Sequence, residues 1–146
     1  MRKIDFYLDE YSKAHRHPLN TAIHKVCVPL ITWSVIALAH AVPLTAHLRL
    51  SHFLVISAAG FYFSLRRPLI ALLIVFFLAL CIVSNEFVPY LNWVSMTVFA
   101  VGWVGQFYGH HVEGKRPSFF QDLVFLLIGP LWVLNSILPR SLRLKS

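Results

Sequence analysis

At 146 residues the chain has the length of one domain, yet 58% of its residues are hydrophobic and only 13% charged, against roughly 25% charged in an average soluble domain. Its net charge of +7 does not point to nucleic acid, because the cations flank apolar runs and build no basic stripe interleaved with aromatics. Two cysteines, Cys27 and Cys81, both inside apolar runs, exclude a disulfide framework and a cysteine-based metal site.

The placement of the charges tells more than their number. No Asp, Glu, Lys or Arg occurs in residues 26–48, 50–65, 68–85, 87–112 or 123–139. A bilayer-crossing helix needs about 20 apolar residues, within a range of roughly 17–25. The first and fourth runs meet this, the second is short, and the third and fifth are marginal. The expected fold is all-α: a polytopic membrane helical bundle, one integral-membrane domain over 1–146. It should hold about four transmembrane helices, an N-terminal interfacial helix and a C-terminal broken or re-entrant apolar segment.

In chain order, residues 3–16 read as an amphipathic helix lying on the membrane. Ile4, Tyr7, Leu8, Tyr11 and Ala14 follow a spacing of three and four, with Asp5, Asp9, Glu10 and Lys13 elsewhere. Acids occupy the place of a signal peptide's apolar core, so no cleaved signal is expected. Pro18 interrupts, and Asn20 is placed to cap the next helix, since its side chain can accept from the first free backbone N–H groups. His24 follows one turn later on the same face. The first span is expected over 23–46, with His40 and Pro43 near its end and His47, Arg49 and His52 in a polar turn. The second run ends at Arg66-Arg67-Pro68, the mark of a cytoplasmic loop. The third span covers 69–84 and the fourth about 88–108, which delivers the chain to His110. A capping box at Ser118-Phe119-Phe120-Gln121 should start a fifth helix. Gly129-Pro130 should break it, returning Arg140, Arg143 and Lys145 to the cytoplasmic side.

With Arg66-Arg67 cytoplasmic, the first span runs outward, the second returns, the third runs out and the fourth ends inside. His24 opens the first span and His110 closes the fourth, so both fall on the cytoplasmic face together with the N-terminus. His40, His47 and His52 fall at the opposite one. The shared face gathers His15, His17, His24, His110 and His111, with Glu113 one turn from His110. Neutral imidazole is the commonest metal side-chain ligand, and three His, or two His with a carboxylate, can hold Fe(II) with open positions. Any one of these histidines is more readily an interfacial or hydrogen-bonding residue; five on one face favour a site. The eight histidines form no H-x3-H or H-x2-H-H box of the kind di-iron membrane desaturases need, so one metal is expected rather than two. Lys115 and Arg116 suit headgroup anchoring, and Arg116 also suits bidentate capture of a substrate carboxylate. Trp93, Trp103, Tyr108 and Trp132 read as packing and interface aromatics. There is no G-x-S-x-G elbow and no Gly-rich phosphate loop, which removes hydrolase and ATP-dependent readings.

Two blocks around these residues carry a resemblance. His15, Asn20, His24 and Pro29 stand in the pattern H-x4-N-x3-H-x4-P. Gly102-Trp103-Val104-Gly105-Gln106-Phe107-Tyr108-Gly109-His110 stands in G-W-x2-Q-F-x-G-H, followed by Glu113 and Lys115-Arg116-Pro117. In both, over nearly its whole length, the chain resembles the small membrane proteins, once a domain of unknown function, whose fungal member is an Fe(II)-dependent 2-hydroxy fatty acid dioxygenase of α-oxidation. Two departures stand out. The segment from His110 to Pro117 is one residue shorter than in the fungal member, and Gln121 stands where the family has an Asp, with Asp122 beside it.

The resemblance implies an oxidoreductase that shortens a long-chain 2-hydroxy fatty acid by one carbon using O2, with Fe(2+) as cofactor. It implies His15, His24 and His110 as metal ligands and catalytic residues, with His111 and Glu113 as auxiliary ligands. Arg116 and Lys115 would contact the substrate, and Asn20 and Asp122 would support the ligands. The acyl tail would lie among apolar helices in the lipid bilayer, with the head at the cytoplasmic interface. Short termini without a retention signal fit a bacterial inner membrane, or the endoplasmic reticulum in a eukaryote. An oligomer is compatible with the sequence. The competing reading is a non-enzymatic membrane protein, a lipid-binding or assembly module whose histidines are interfacial.

Overall fold

A computed structural model describes residues 3–116, 124–139 and 141–144. Among these the regular structure is six helices and no strand: α1 (Lys3–Lys13), α2 (Pro18–His40), α3 (Leu50–Ser64), α4 (Pro68–Asn85), α5 (Leu91–Glu113) and α6 (Phe125–Ile137). The chain divides into two units, Met1–Pro29 with Gly102–Ser146, and Leu30–Val101, so α2 and α5 each contribute to both.

In the Leu30–Val101 unit, α3 and α4 pack on each other. The turn between them puts Arg66 in the left-handed region at φ 54, and Pro68 opens α4 at its first turn, where a missing N–H costs nothing. On α4, Ile70, Ile74, Leu78, Cys81 and Asn85 form a buried stripe at helical spacing, while Leu72, Phe76, Leu80 and Val83 are exposed. A helix that is apolar on both faces belongs in a protein core or in lipid. The polar end of this unit is built on His40. Its Nδ1 lies 3.0 Å from Ser51 Oγ and its Nε2 3.2 Å from Glu86 Oε1, while Arg49 Nη1 donates to its carbonyl at 3.0 Å. That knot ends α2 at His40, short of the expected residue 46. Pro43 cannot continue the helix, and residues 41–49 instead close a loop through the Pro43–Arg49 bridge.

In the other unit α1 packs on α6. Ile4, Leu8 and Tyr11 share one face of α1, and all are buried. Tyr7 meets Phe125 edge-on with ring centroids 5.3 Å apart, and Tyr11 lies 5.3 Å from Trp132. Leu8, 1% exposed, contributes about 2 kcal/mol by burial alone. The face expected to rest on the bilayer is therefore covered by protein. The expected break at Gly129-Pro130 is corrected as well: α6 runs continuously through Pro130. Gly129 serves close approach instead, since a Cβ there would sit 3.3 Å from both the Tyr11 hydroxyl and Val28 Cγ1. The capping box at 118–121 lies outside the described residues.

Of the four spans expected, α2 (23 residues) and α4 (18 residues) are long and apolar enough to cross a membrane. At 1.5 Å per residue, α4 reaches about 27 Å, close to the roughly 30 Å hydrocarbon core. The apolar α3 has 15 residues and α6 has 13, below that length.

Candidate metal centre

His15 leaves α1 one turn beyond Tyr11, and its Nδ1 lies 2.5 Å from the Tyr11 carbonyl oxygen. A carbonyl only accepts, so Nδ1 carries the proton and Nε2 is left with a free lone pair. His24 repeats the device on α2: its Nδ1 donates to the Asn20 carbonyl at 3.0 Å, which turns Nε2 outward as the ligand atom. His110 arrives from the last turn of α5. Ring centroids are 4.1 Å apart for His15 and His24, 5.0 Å for His15 and His110, and 4.8 Å for His24 and His110.

One nitrogen from each ring lies within 4.8 Å of the other two, the one such group of three ligating side chains among the described residues. All three rings are buried. His15 Nε2 and His110 Nδ1 are enclosed without any hydrogen-bond partner. Buried polar atoms are ordinarily satisfied, and two orphaned imidazole nitrogens facing a third ring call for something between them. Burial pushes the His15 pKa down to about 4, against the pull of the Tyr11 carbonyl and with help from His110. The ring is thus neutral at physiological pH, the form that binds a metal. The donor set fits a metal that takes imidazole.

The wall around the rings is aromatic. Tyr11 stacks on His15 with centroids 4.2 Å apart and planes within 10°, and Trp132 lies 5.2 Å from the same ring. Trp132 Nε1 donates to Ser12 Oγ at 3.0 Å, and Ser12 donates onward to the Leu8 carbonyl at 2.8 Å. The buried Gln106, one turn before His110, lies beside His24.

Glu113 stands outside the group of three. Its Oε1 accepts the Arg16 N–H at 3.0 Å, and its Oε2 accepts the His17 N–H at 2.7 Å and Asn20 Nδ2 at 3.1 Å. Asn20, fully buried, also donates to the Ala14 carbonyl at 3.2 Å. It does not cap α2. His17 takes that place: its carbonyl accepts from the Thr21 N–H, its Nδ1 from the Leu19 N–H, and Pro18 fills the first helical position. His111, Lys115 and Arg116 are exposed, and Lys115 Nζ donates to the Lys13 carbonyl at 2.6 Å. Asp122 lies outside the described residues.

Partial burial works to raise the Glu113 pKa, but the His17 amide, the Asn20 side chain and the Arg16 amide outweigh it and hold it below the usual glutamate value. The folded pKa is below the unfolded one, so the stabilisation is complete above the ordinary carboxylate range and fades as pH falls through the folded value. The stability gap between wild type and Glu113→Gln should therefore shrink as pH falls through the ordinary carboxylate range and below it. Chemical denaturation at a series of pH values checks this; a gap that stays flat would mean the carboxylate charge is not what the amides hold.

Four contributors had no part in the site assigned from the sequence: Tyr11, Ser12, Gln106 and Gly109. The last two carried a signal, since both lie in the Gly102–His110 block. The profile of the 2-hydroxy-palmitic acid dioxygenase Mpo1-like family matches residues 1–141. The chain belongs to this family. It is also similar to the 2-hydroxy-palmitic acid dioxygenase MPO1 of Saccharomyces cerevisiae, at 30% identity over 132 residues, which is 88% of this chain and 75% of the yeast protein. No solved structure matches. Within the Mpo1-like frame, the two sequence blocks together supply the three-histidine cluster: His15 and His24 from the first, His110 from the second.

Proposed function

We propose that the chain is a 2-hydroxy fatty acid dioxygenase that removes one carbon from a long-chain 2-hydroxy acid with O2, using Fe(2+) held by His15, His24 and His110. The observation that carries this is the buried trio with its two orphaned ring nitrogens, found in a chain similar to a dioxygenase of that substrate class. When bound, the iron supplies a Lewis acid and redox centre at which hydroxy acid and O2 can meet.

The protein's own residues do the rest. The Tyr11 and Asn20 carbonyls hold the Nδ1 protons of His15 and His24, which fixes each tautomer and aims each Nε2. Tyr11 and Trp132 screen His15 from water. Arg116 is the candidate for a bidentate grip on the carboxylate, with Lys115 beside it, and His111 is a reserve imidazole at the exposed edge. The acyl tail suits a bilayer crossed by α2 and α4, with the histidines at its cytoplasmic surface.

Detergent-purified protein, loaded with Fe(II) without oxygen and then given 2-hydroxy-palmitic acid and O2, should yield a product one carbon shorter. Zn(II)-loaded protein should yield none. Intact substrate beside stoichiometric iron would contradict the proposal. Chelation should also lower thermal stability, since metal at 100 times Kd stabilises the folded state by about 2.7 kcal/mol; an unmoved melting curve would mean no metal was held.

A further inference from the structure

We infer that Glu113 is a positioning residue, a clamp that holds the segment bearing His15 and His24 against the end of α5 bearing His110, and not a ligand of the metal. The inference rests on the metal reading above. Both carboxylate oxygens are already committed, to the amides of Arg16 and His17 and to Asn20 Nδ2. These partners lie 93 to 97 residues away in sequence, and all belong to the short stretch between the end of α1 and the first turn of α2. Asn20 extends the clamp to the Ala14 carbonyl, the residue before His15. One carboxylate thereby fixes the exit of His15 and the start of the helix that carries His24. Its own helix carries His110 three residues earlier.

The packing beneath agrees. Gly109 lets α5 come so close to Asn20 that an added Cβ would lie 2.4 Å from Asn20 Oδ1. Charge-assisted hydrogen bonds are stronger than neutral ones, which suits a joint that must keep three rings in mutual register. Groups that orient ligands in this way typically account for about 10- to 100-fold in metal affinity.

The test is a titration of the full chain in detergent with Co(II), followed by its visible ligand-field bands, for wild type, Glu113→Gln and Asn20→Ser. The expected result for Glu113→Gln is about 10- to 100-fold weaker binding with unchanged band positions, because the three nitrogen donors remain. Asn20→Ser, which removes the Asn20 bonds to Glu113 and to the Ala14 carbonyl but leaves the Arg16 and His17 amides on the carboxylate, should weaken binding less and in the same direction. It also keeps the inference testable if Glu113→Gln fails to fold. Unchanged affinity in either folded variant overturns the inference, and shifted bands in Glu113→Gln overturn it by making Glu113 a ligand. Absence of Co(II) binding by wild type is a different failure, since it removes the metal reading itself and the inference with it.

Discussion

Replacing His24 with alanine is expected to remove metal and turnover together. His24 is 1% exposed, and its ring is within 5 Å, centroid to centroid, of both other imidazoles: 4.1 Å from His15 and 4.8 Å from His110. A structural zinc site is worth about 10–16 kcal/mol across four ligands, so one ligand stands for about 3 kcal/mol, or a loss of affinity of at least about a hundredfold. The metal-free protein should suffer far less, because the Nδ1 bond that disappears leads to the carbonyl of a residue one turn back on the same helix. The signature is a collapse of iron content and product formation with a modest change in the chelated protein's melting point. A His24→Ala protein that keeps full iron and turns over substrate would remove His24 from the site.

Gly109→Ala should be the most damaging change of a single methyl group. The new Cβ would lie 2.4 Å from Asn20 Oδ1 and 3.6 Å from the Asn20 Cα. Asn20 has little freedom to yield, since it is fully buried and its amide is bonded to Ala14 and Glu113. Overpacking of this kind costs about 1–3 kcal/mol. Relief by moving α5 would displace His110, the next residue, and weaken metal binding as well. Gly105→Ala makes the useful contrast. Its Cβ would meet Cys27 Sγ at 2.6 Å, but the next neighbour, Ile23 Cγ2, is at 3.7 Å, so the thiol can swing aside. Gly105→Ala should cost less than Gly109→Ala, and Cys27→Ala should restore most of what it loses. Denaturant midpoints and Co(II) affinity measure both. A Gly109→Ala protein with wild-type stability and affinity would contradict the packing described for Asn20.

The helices were legible in the sequence because charge-free runs bounded by Arg, Lys and Pro leave few other structures. The three histidines were legible because one spaced histidine block and one aromatic-glycine block drew attention to them. What the sequence hid were partners. The stripe Ile4, Leu8, Tyr11 reads the same whether it meets lipid or another helix, and only the fold names α6 as its cover. Pro130 signals a lost hydrogen bond, but the buried residues on either side, Ile128, Leu131 and Trp132, keep the helix going. Asn20 resembles a cap by residue type, yet Pro18 prefers the first helical position and moves the cap to His17. Glu113 resembles a ligand by its spacing from His110, but amides of a segment far away in sequence claim both its oxygens. Long-range partners of this kind follow from the fold and not from local pattern.

The most direct measurement is X-ray absorption at the iron K-edge on wild-type protein loaded anaerobically with Fe(II) and freed of excess metal. The account predicts about one iron per chain with the outer-shell scattering of three imidazole rings, a count that falls when His15, His24 or His110 is replaced. Iron that washes away, or that is retained with oxygen ligands and no imidazole scattering, would contradict it.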